Sequence, residues 1–189
     1  MNDEQLIARV IEGDNDAFRE LIEKYQQLVH KTCFNILRQE EDAEDVVQEV
    51  FIESFESIRL FRKESKFSTW LYRIAINKSL NHKRKHKWKN VVSSIENFFG
   101  GDNPRFEIVD HNANNSPETI DYNERARILQ QAIQSLPENQ RIAFTLCKYD
   151  ELSYQEISEI MNLSFSSVES LIHRAKMNLQ KRLINYYKN

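Results

Sequence analysis

Residues 153–179 read SYQEISEIMNLSFSSVESLIHRAKMNL. Ser153 and Glu156 stand three positions apart, the spacing of a capping box, and so open a helix that runs to about Met161. Residues 162–164 form a turn. From Phe165 a second helix sets Val168, Leu171, Ile172, Ala175 and Leu179 on one stripe. A helix, a tight turn and a longer helix make a helix-turn-helix pattern, whose second helix can lie in a DNA major groove. Small helical bundles use the same pair for packing alone, so the pattern by itself leaves both readings open.

Upstream, Ile128, Leu129, Ala132, Ile133 and Leu136 make a helix; Pro137 suits the first position of the next, which Ile142, Ala143, Leu146 and Cys147 continue. Residues 90–120 change character. They hold two of the three glycines and two of the three prolines and read as a flexible linker. Before them, a short helix around Leu6, Ile7, Val10 and Ile11 ends at Gly13, and Asp14 or Asn15 can cap its successor. Two strongly periodic helices follow, one through Phe18, Leu21, Ile22, Tyr25, Leu28, Val29, Cys33 and Ile36, the other through Ala43, Val46, Val47, Val50, Phe51 and Phe55. Ser68 or Thr69 is the expected cap of a fourth helix carrying Trp70, Leu71, Ile74 and Ala75 and running out through residues 81–89.

The chain of 189 residues is 40% hydrophobic and 11% aromatic, enough to bury real cores. Three glycines and three prolines leave little for hairpin turns or phosphate-cradling loops, which points to an all-α fold. The expectation is two small helical domains, residues 1–89 and 121–189, joined by the linker. The start is acidic where a signal peptide is basic, and no stretch is long enough to span a membrane, so a cytoplasmic protein without membrane insertion is expected. Cys33 and Cys147 are far apart and have no close Cys or His partner, which suggests buried thiols, not a disulfide or a zinc site. No phosphate loop, metal-ligand cluster or nucleophile with a base is seen. Catalytic residues, metal and cofactors are therefore expected to be none.

The net charge of −3 hides a segregation: residues 1–60 hold 15 acidic and 6 basic side chains, residues 61–90 hold 1 acidic and 10 basic. One surface repels nucleic acid and the next attracts it, as expected of a chain that meets a protein on one side and phosphates on the other. An ordinary solvated charge run gives the same count. Within the basic run, Phe61, Phe67, Trp70 and Tyr72 alternate with Arg62, Lys63, Lys66, Arg73 and Lys78, a composition suited to holding a single strand. For Trp70 the core is the preferred place, because Leu71 and Ile74 share its periodicity.

The blocks DAFRELIEKYQQLVHKTCFNIL, EDAEDVVQEVFIESFESI, FRKESKFSTWLYRIAINKSLNHKRK and SLPENQRIAFTLCKYDELSYQEISEIMNLSFSSVESLIHRAKMNLQKRL occur in the order of a known family. The chain resembles the extracytoplasmic-function (ECF) sigma factors of the sigma-70 family. The resemblance implies that residues 1–89 are a region 2 domain for polymerase docking, minus-ten recognition and melting, and that residues 121–189 are a region 4 domain for the minus-thirty-five element. It implies docking on core RNA polymerase through Asp45, Gln48 and Glu49. For promoter DNA it implies a base-capturing loop from Lys63 through Lys66 to Phe67, followed by helix contacts from Asn77, Asn81 and Arg84; Arg73 and Lys78, from the basic aromatic run, are expected to follow phosphates beside them. In the second domain it implies major-groove contacts from Ser166, Ser167, Glu169, Ser170, His173 and Arg174. Many family members carry a base where Glu169 stands, another where Leu171 stands, and an acid where Asn81 stands. An anti-sigma factor is a common partner. A helix-turn-helix regulator acting without polymerase would account for the second half only, leaving the acidic helix and the basic aromatic run without a role.

Overall fold

The computed structural model describes the backbone of residues 1–100 and 117–187 and the side chains of residues 1–86 and 124–184. All regular structure among the described residues is helical: α1 (Asp3–Ile11), α2 (Asn15–Leu37), α3 (Glu40–Ser57), a 3-10 turn (Ile58–Leu60), α4 (Phe67–Gly100), α5 (Pro117–Gln134), α6 (Glu138–Lys148), α7 (Tyr154–Met161) and α8 (Phe165–Tyr187). The chain divides into two units, Met1–Asn103 and Pro104–Asn189. The expected linker of residues 90–120 is helical at both ends, since α4 continues to Gly100 and α5 starts at Pro117. Residues 101–116 lie outside the described residues.

Local chemistry sets the boundaries of the first helices. Asn2 caps α1 by accepting from Gln5 N at 2.9 Å, and the Gln5 side chain accepts from Asn2 N at 3.2 Å. The helix closes in a Schellman turn: Gly13 N donates to Val10 O at 3.0 Å, and Asp14 N donates to Arg9 O at 3.0 Å. Gly13 has φ +101°, where a side chain would be strained. Asp14 then caps α2, its Oδ1 accepting from Asp16 N and Ala17 N at 2.9 and 3.1 Å. Its Oδ2 meets Arg9 Nη2 at 2.6 Å. The Ala17 backbone bond and the Arg9 guanidinium hold the Asp14 carboxyl below its ordinary range. At the other end of α1, burial pushes Asp3 up, but hydrogen bonds from Lys24 and Tyr25 outweigh it and keep the carboxyl low.

In the first unit, α2 packs against α1, α3 and α4, burying Leu21, Tyr25, Val29 and Cys33 against Ala43, Val46, Val50, Leu71 and Ala75. The Cys33 thiol is fully buried, and burial pushes its pKa up to about 11, partly countered by a hydrogen bond with Ser79. A hydrophobic contribution of roughly 1.5–3 kcal/mol per buried aliphatic side chain is the main source of stability here.

In the second unit, α8 receives α5, α6 and α7. Its core joins Ala132, Ile133, Leu136, Ile142, Ala143 and Leu146 with Ile157, Val168, Ile172, Ala175 and Leu179. The expected capping box is formed, with Glu156 N donating to Ser153 Oγ at 3.2 Å and Ser153 N donating to Glu156 Oε2 at 3.1 Å. Asn162 ends α7 in the left-handed conformation, φ 52° and ψ 48°. That residue type tolerates the geometry, which turns the chain sharply into α8. Pro137 sits one position earlier than expected, as the cap before α6.

Candidate polymerase and nucleic-acid interfaces

Along α3, Ala43, Val46, Val50 and Phe51 point into the core, while Asp45, Gln48 and Glu49 are exposed on the outer side. The 3.6-residue repeat therefore separates an apolar stripe from an acidic and polar one. Glu49 also lies close to α4, with Lys78 Nζ at 3.6 Å, and Lys78 Nζ reaches Glu53 at 2.9 Å. The hydrogen bond to Glu53 comes first among the effects that raise the Lys78 pKa. Lys78 differs from the expectation of a strand-tracking cation. Its ammonium is turned towards two carboxylates of α3.

On α4, Arg73, Asn77, Asn81 and Arg84 are all exposed. Their steps of four, four and three residues keep them on one helical face. The other side is sunk: Leu71, Ile74, Ala75, Ile76 and Ser79 are buried. Beyond Lys78, the side turned to α3 carries His82 and His86, whose Nε2 atoms lie 3.0 and 3.7 Å from Asp42 Oδ1. Sequence reasoning missed this group. His82 and His86 share a helical spacing that was legible, but Asp42 stands 40 residues from His82 and only packing joins them.

The segment between the 3-10 turn and α4 holds Lys63 in the left-handed region, φ 59°, and leaves Lys63 and Lys66 exposed. Phe67 departs from the reading as a stacking platform. It is 3% exposed, with ring centroids of Tyr25, Phe61 and Trp70 at 5.5, 5.6 and 5.4 Å. A base cannot stack on a ring whose faces are taken, so Phe67 anchors the loop instead of presenting a surface. Trp70 packs partly buried against the same core, as its periodicity predicts. The helix starts at Phe67, ahead of Ser68 and Thr69, because the Phe67 ring is already committed to the core.

At the start of α8, Ser164 Oγ accepts from Ser167 N at 3.2 Å and lies 2.7 Å from Ser167 Oγ and 3.2 Å from Ser166 Oγ. Ser166, Ser167, Glu169, Ser170, His173 and Arg174 are all exposed, opposite buried Val168, Ile172 and Ala175. Ser166, Ser167 and Ser170 give the exposed face of the first two turns of α8 a patch of low relief. A helix of that shape can approach the floor of a groove closely.

Among the described residues no helix is long and apolar enough to cross a membrane. Residues 21–89 match Sigma-70 region 2, and residues 126–179 match Sigma-70, region 4. The chain is similar to the RNA polymerase sigma-H factor of Pseudomonas aeruginosa, 37% identical over 186 residues, covering 96% of this chain and 93% of that protein. It is also similar to the ECF RNA polymerase sigma-E factor of Escherichia coli strain K12, 38% identical with 93% and 91% covered. For the ECF RNA polymerase sigma factor SigW of Bacillus subtilis the identity is 34%, with 94% of each chain covered. The fold is similar to that of CnrH, solved in complex with the cytosolic domain of CnrY, at a TM-score of 0.68, 22% identity and 97% coverage of both chains. The sigma factor RpoE of Bartonella quintana, solved with the anti-sigma factor NepR, gives 0.62 at 19% identity, covering 88% of this chain and 96% of that one. Two helical units carrying regions 2 and 4, with relatives matched along nearly their whole length, place the chain in the sigma-70 family, and it belongs to the extracytoplasmic-function sigma factors.

Proposed function

We propose that this chain directs promoter-specific transcription initiation by pairing an α3 docking surface for core RNA polymerase with two DNA-reading surfaces, without catalytic chemistry of its own. The observation that carries the reading is the division of α4 into two rows. Arg73, Asn77, Asn81 and Arg84 face solvent, while the opposite side is fixed by the core and by α3. A row of cations and amides on a rigid helix can follow phosphates and hydrogen-bond to base edges at the minus-ten element. Lys63 and Lys66 stand beside that row on a loop anchored by Phe67, suited to holding a displaced strand.

Asp45, Gln48 and Glu49 supply the acidic face that steers a basic partner surface and fixes its register. In the second unit, Ser166, Ser167, Glu169, Ser170, His173 and Arg174 are the residues available to the minus-thirty-five element. The relatives in complex with anti-sigma factors support an anti-sigma partner here, and the site of action is the cytoplasm.

Run-off transcription with purified core polymerase on promoter fragments tests the reading. The wild-type chain is expected to produce discrete transcripts, and Asn77→Ala with Asn81→Ala to reduce them at least about fivefold, the loss of roughly 1–3 kcal/mol of base contact. Transcripts independent of the chain, or undiminished in the double variant, would remove α4 from promoter recognition.

A further inference from the structure

We propose that Asp42, His82 and His86 form a binding site for one divalent transition-metal ion of the zinc type. His82 and His86 stand four residues apart on α4, so both imidazoles leave the helix on one side. Their rings stack with centroids 4.6 Å apart, and both Nε2 atoms converge on Asp42 Oδ1, at 3.0 and 3.7 Å. One ligand atom from each of the three side chains lies within 4.8 Å of the other two. A tetrahedral ion with bonds of about 2.0–2.2 Å holds its ligands about 3.3–3.6 Å apart, so small rotamer adjustments bring this group to coordinating geometry.

Two imidazoles that both donated to one carboxylate oxygen would each lie within hydrogen-bond distance of it. Here the His86 nitrogen lies 3.7 Å from that oxygen, too far for a hydrogen bond but within reach of a shared ion. A cation between the three atoms uses both nitrogens. The side chains of His82 and Asp42 are only 18% and 21% exposed, whereas that of His86 is 50% exposed. The site is therefore walled on one side and open on the other, with room for a solvent molecule as fourth ligand. Asp42 lies in the first turn of α3 together with Glu40 and Glu41, and these acids offset the positive end of the helix dipole that would otherwise repel a cation.

Two imidazoles and a carboxylate suit zinc, cobalt or nickel and are a poor set for magnesium or calcium, which prefer all-oxygen shells. The bound ion would tie the start of α3 to α4, one turn from Asp45 and beside Asn81. The site depends on no assignment of those residues to polymerase or DNA.

Zinc sulfate titrated into the full chain against a chromophoric chelator, with cobalt(II) as a visible-absorption reporter of tetrahedral geometry, tests the site. One equivalent is expected to bind. Asp42→Ala and the double variant His82→Ala/His86→Ala should each weaken it by more than about 100-fold, since even a lost outer-sphere partner costs on the order of 10–100-fold. His30→Ala, which removes another histidine next to a carboxylate, Glu40 at 2.9 Å, should leave binding unchanged. Should the double variant lose its circular-dichroism helix signal, His86→Ala alone, at the exposed position, gives the deciding comparison. Equal affinity of wild type and variants, or no uptake by the wild type at millimolar zinc, overturns the proposal.

Discussion

Phe67 sits at the end of a basic loop, yet its ring lies in the core among Tyr25, Phe61 and Trp70. Removing it empties a space those rings line. Phe67→Ala is expected to cost about 3–5 kcal/mol of stability, readable as a fall in the thermal midpoint of the first unit. Lys63→Glu, on the exposed loop, should leave that midpoint unchanged while reducing permanganate-reactive bases at the promoter. If the two variants lose opening and stability in parallel, the loop has no separate role in melting. Glu169 poses a different choice. It falls in the second turn of α8, beyond the reach of a useful helix-dipole effect, and α8 has no acidic residue in its first turn. We propose that Glu169 instead accepts from a cytosine amino group in the major groove. Glu169→Lys is expected to change preference at one base pair of the minus-thirty-five element by about 1–3 kcal/mol in selections from a randomised promoter library. A uniform gain for all sequences, with a steeper salt dependence, would count against base reading.

Elements meet through a few charged seams, and these decide which variants are clean. Glu49→Lys removes a carboxylate from the exposed row of α3 but also puts a second ammonium beside Lys78, 3.6 Å from the present Glu49 oxygen. Asp45→Arg avoids that conflict, because Asp45 is exposed and has no ion pair among the described residues. It should weaken pull-down of core polymerase by a factor corresponding to several kcal/mol if the contact is close, with the circular-dichroism spectrum unchanged. The α1–α2 joint carries a pH dependence of definite sign. Asp14 and Asp3 titrate below their ordinary value of 3.8 in the folded chain, so the stabilisation they give is complete above about pH 5. It is lost as the pH falls through the lowered values. Asp14→Asn should flatten the acid limb of the first unit's stability curve; an unaltered limb would show that the cap and Arg9 do not act through charge.

Across the whole chain, the helices and their buried stripes were legible because apolar residues at three- and four-residue steps admit few other structures. The capping box at Ser153 and the turn at Gly13 were equally plain, since each depends on neighbours within four residues. Where α4 begins and ends was not. The hydroxyls of Ser68 and Thr69 signalled a cap, but long-range packing of Phe67 started the helix sooner; the far end continues to Gly100 through Val91, Val92, Ile95, Phe98 and Phe99, whose three- and four-residue steps were outweighed by the glycines and prolines that follow. The exposed rows on α3, α4 and α8 could be read from helical phase. Lys78 facing Glu53, and Asp42 facing two histidines, could not, because each pairing is made by helices brought together only in the folded unit.

The two cysteines fall one in each unit, Cys33 fully buried in the first and Cys147 half-buried in the second. A thiol must reach solvent and ionise before an alkylating reagent can take it, and Cys33 is held from both by burial. Its modification rate is therefore a clock for transient openings that part α2 from α4, set by the opening equilibrium when reclosure is fast. Mass spectrometry of the alkylated chain would time Cys33 and Cys147 separately in one sample. Modification of Cys33 should accelerate in Phe67→Ala while that of Cys147 keeps its pace, giving each unit its own stopwatch without any added label site.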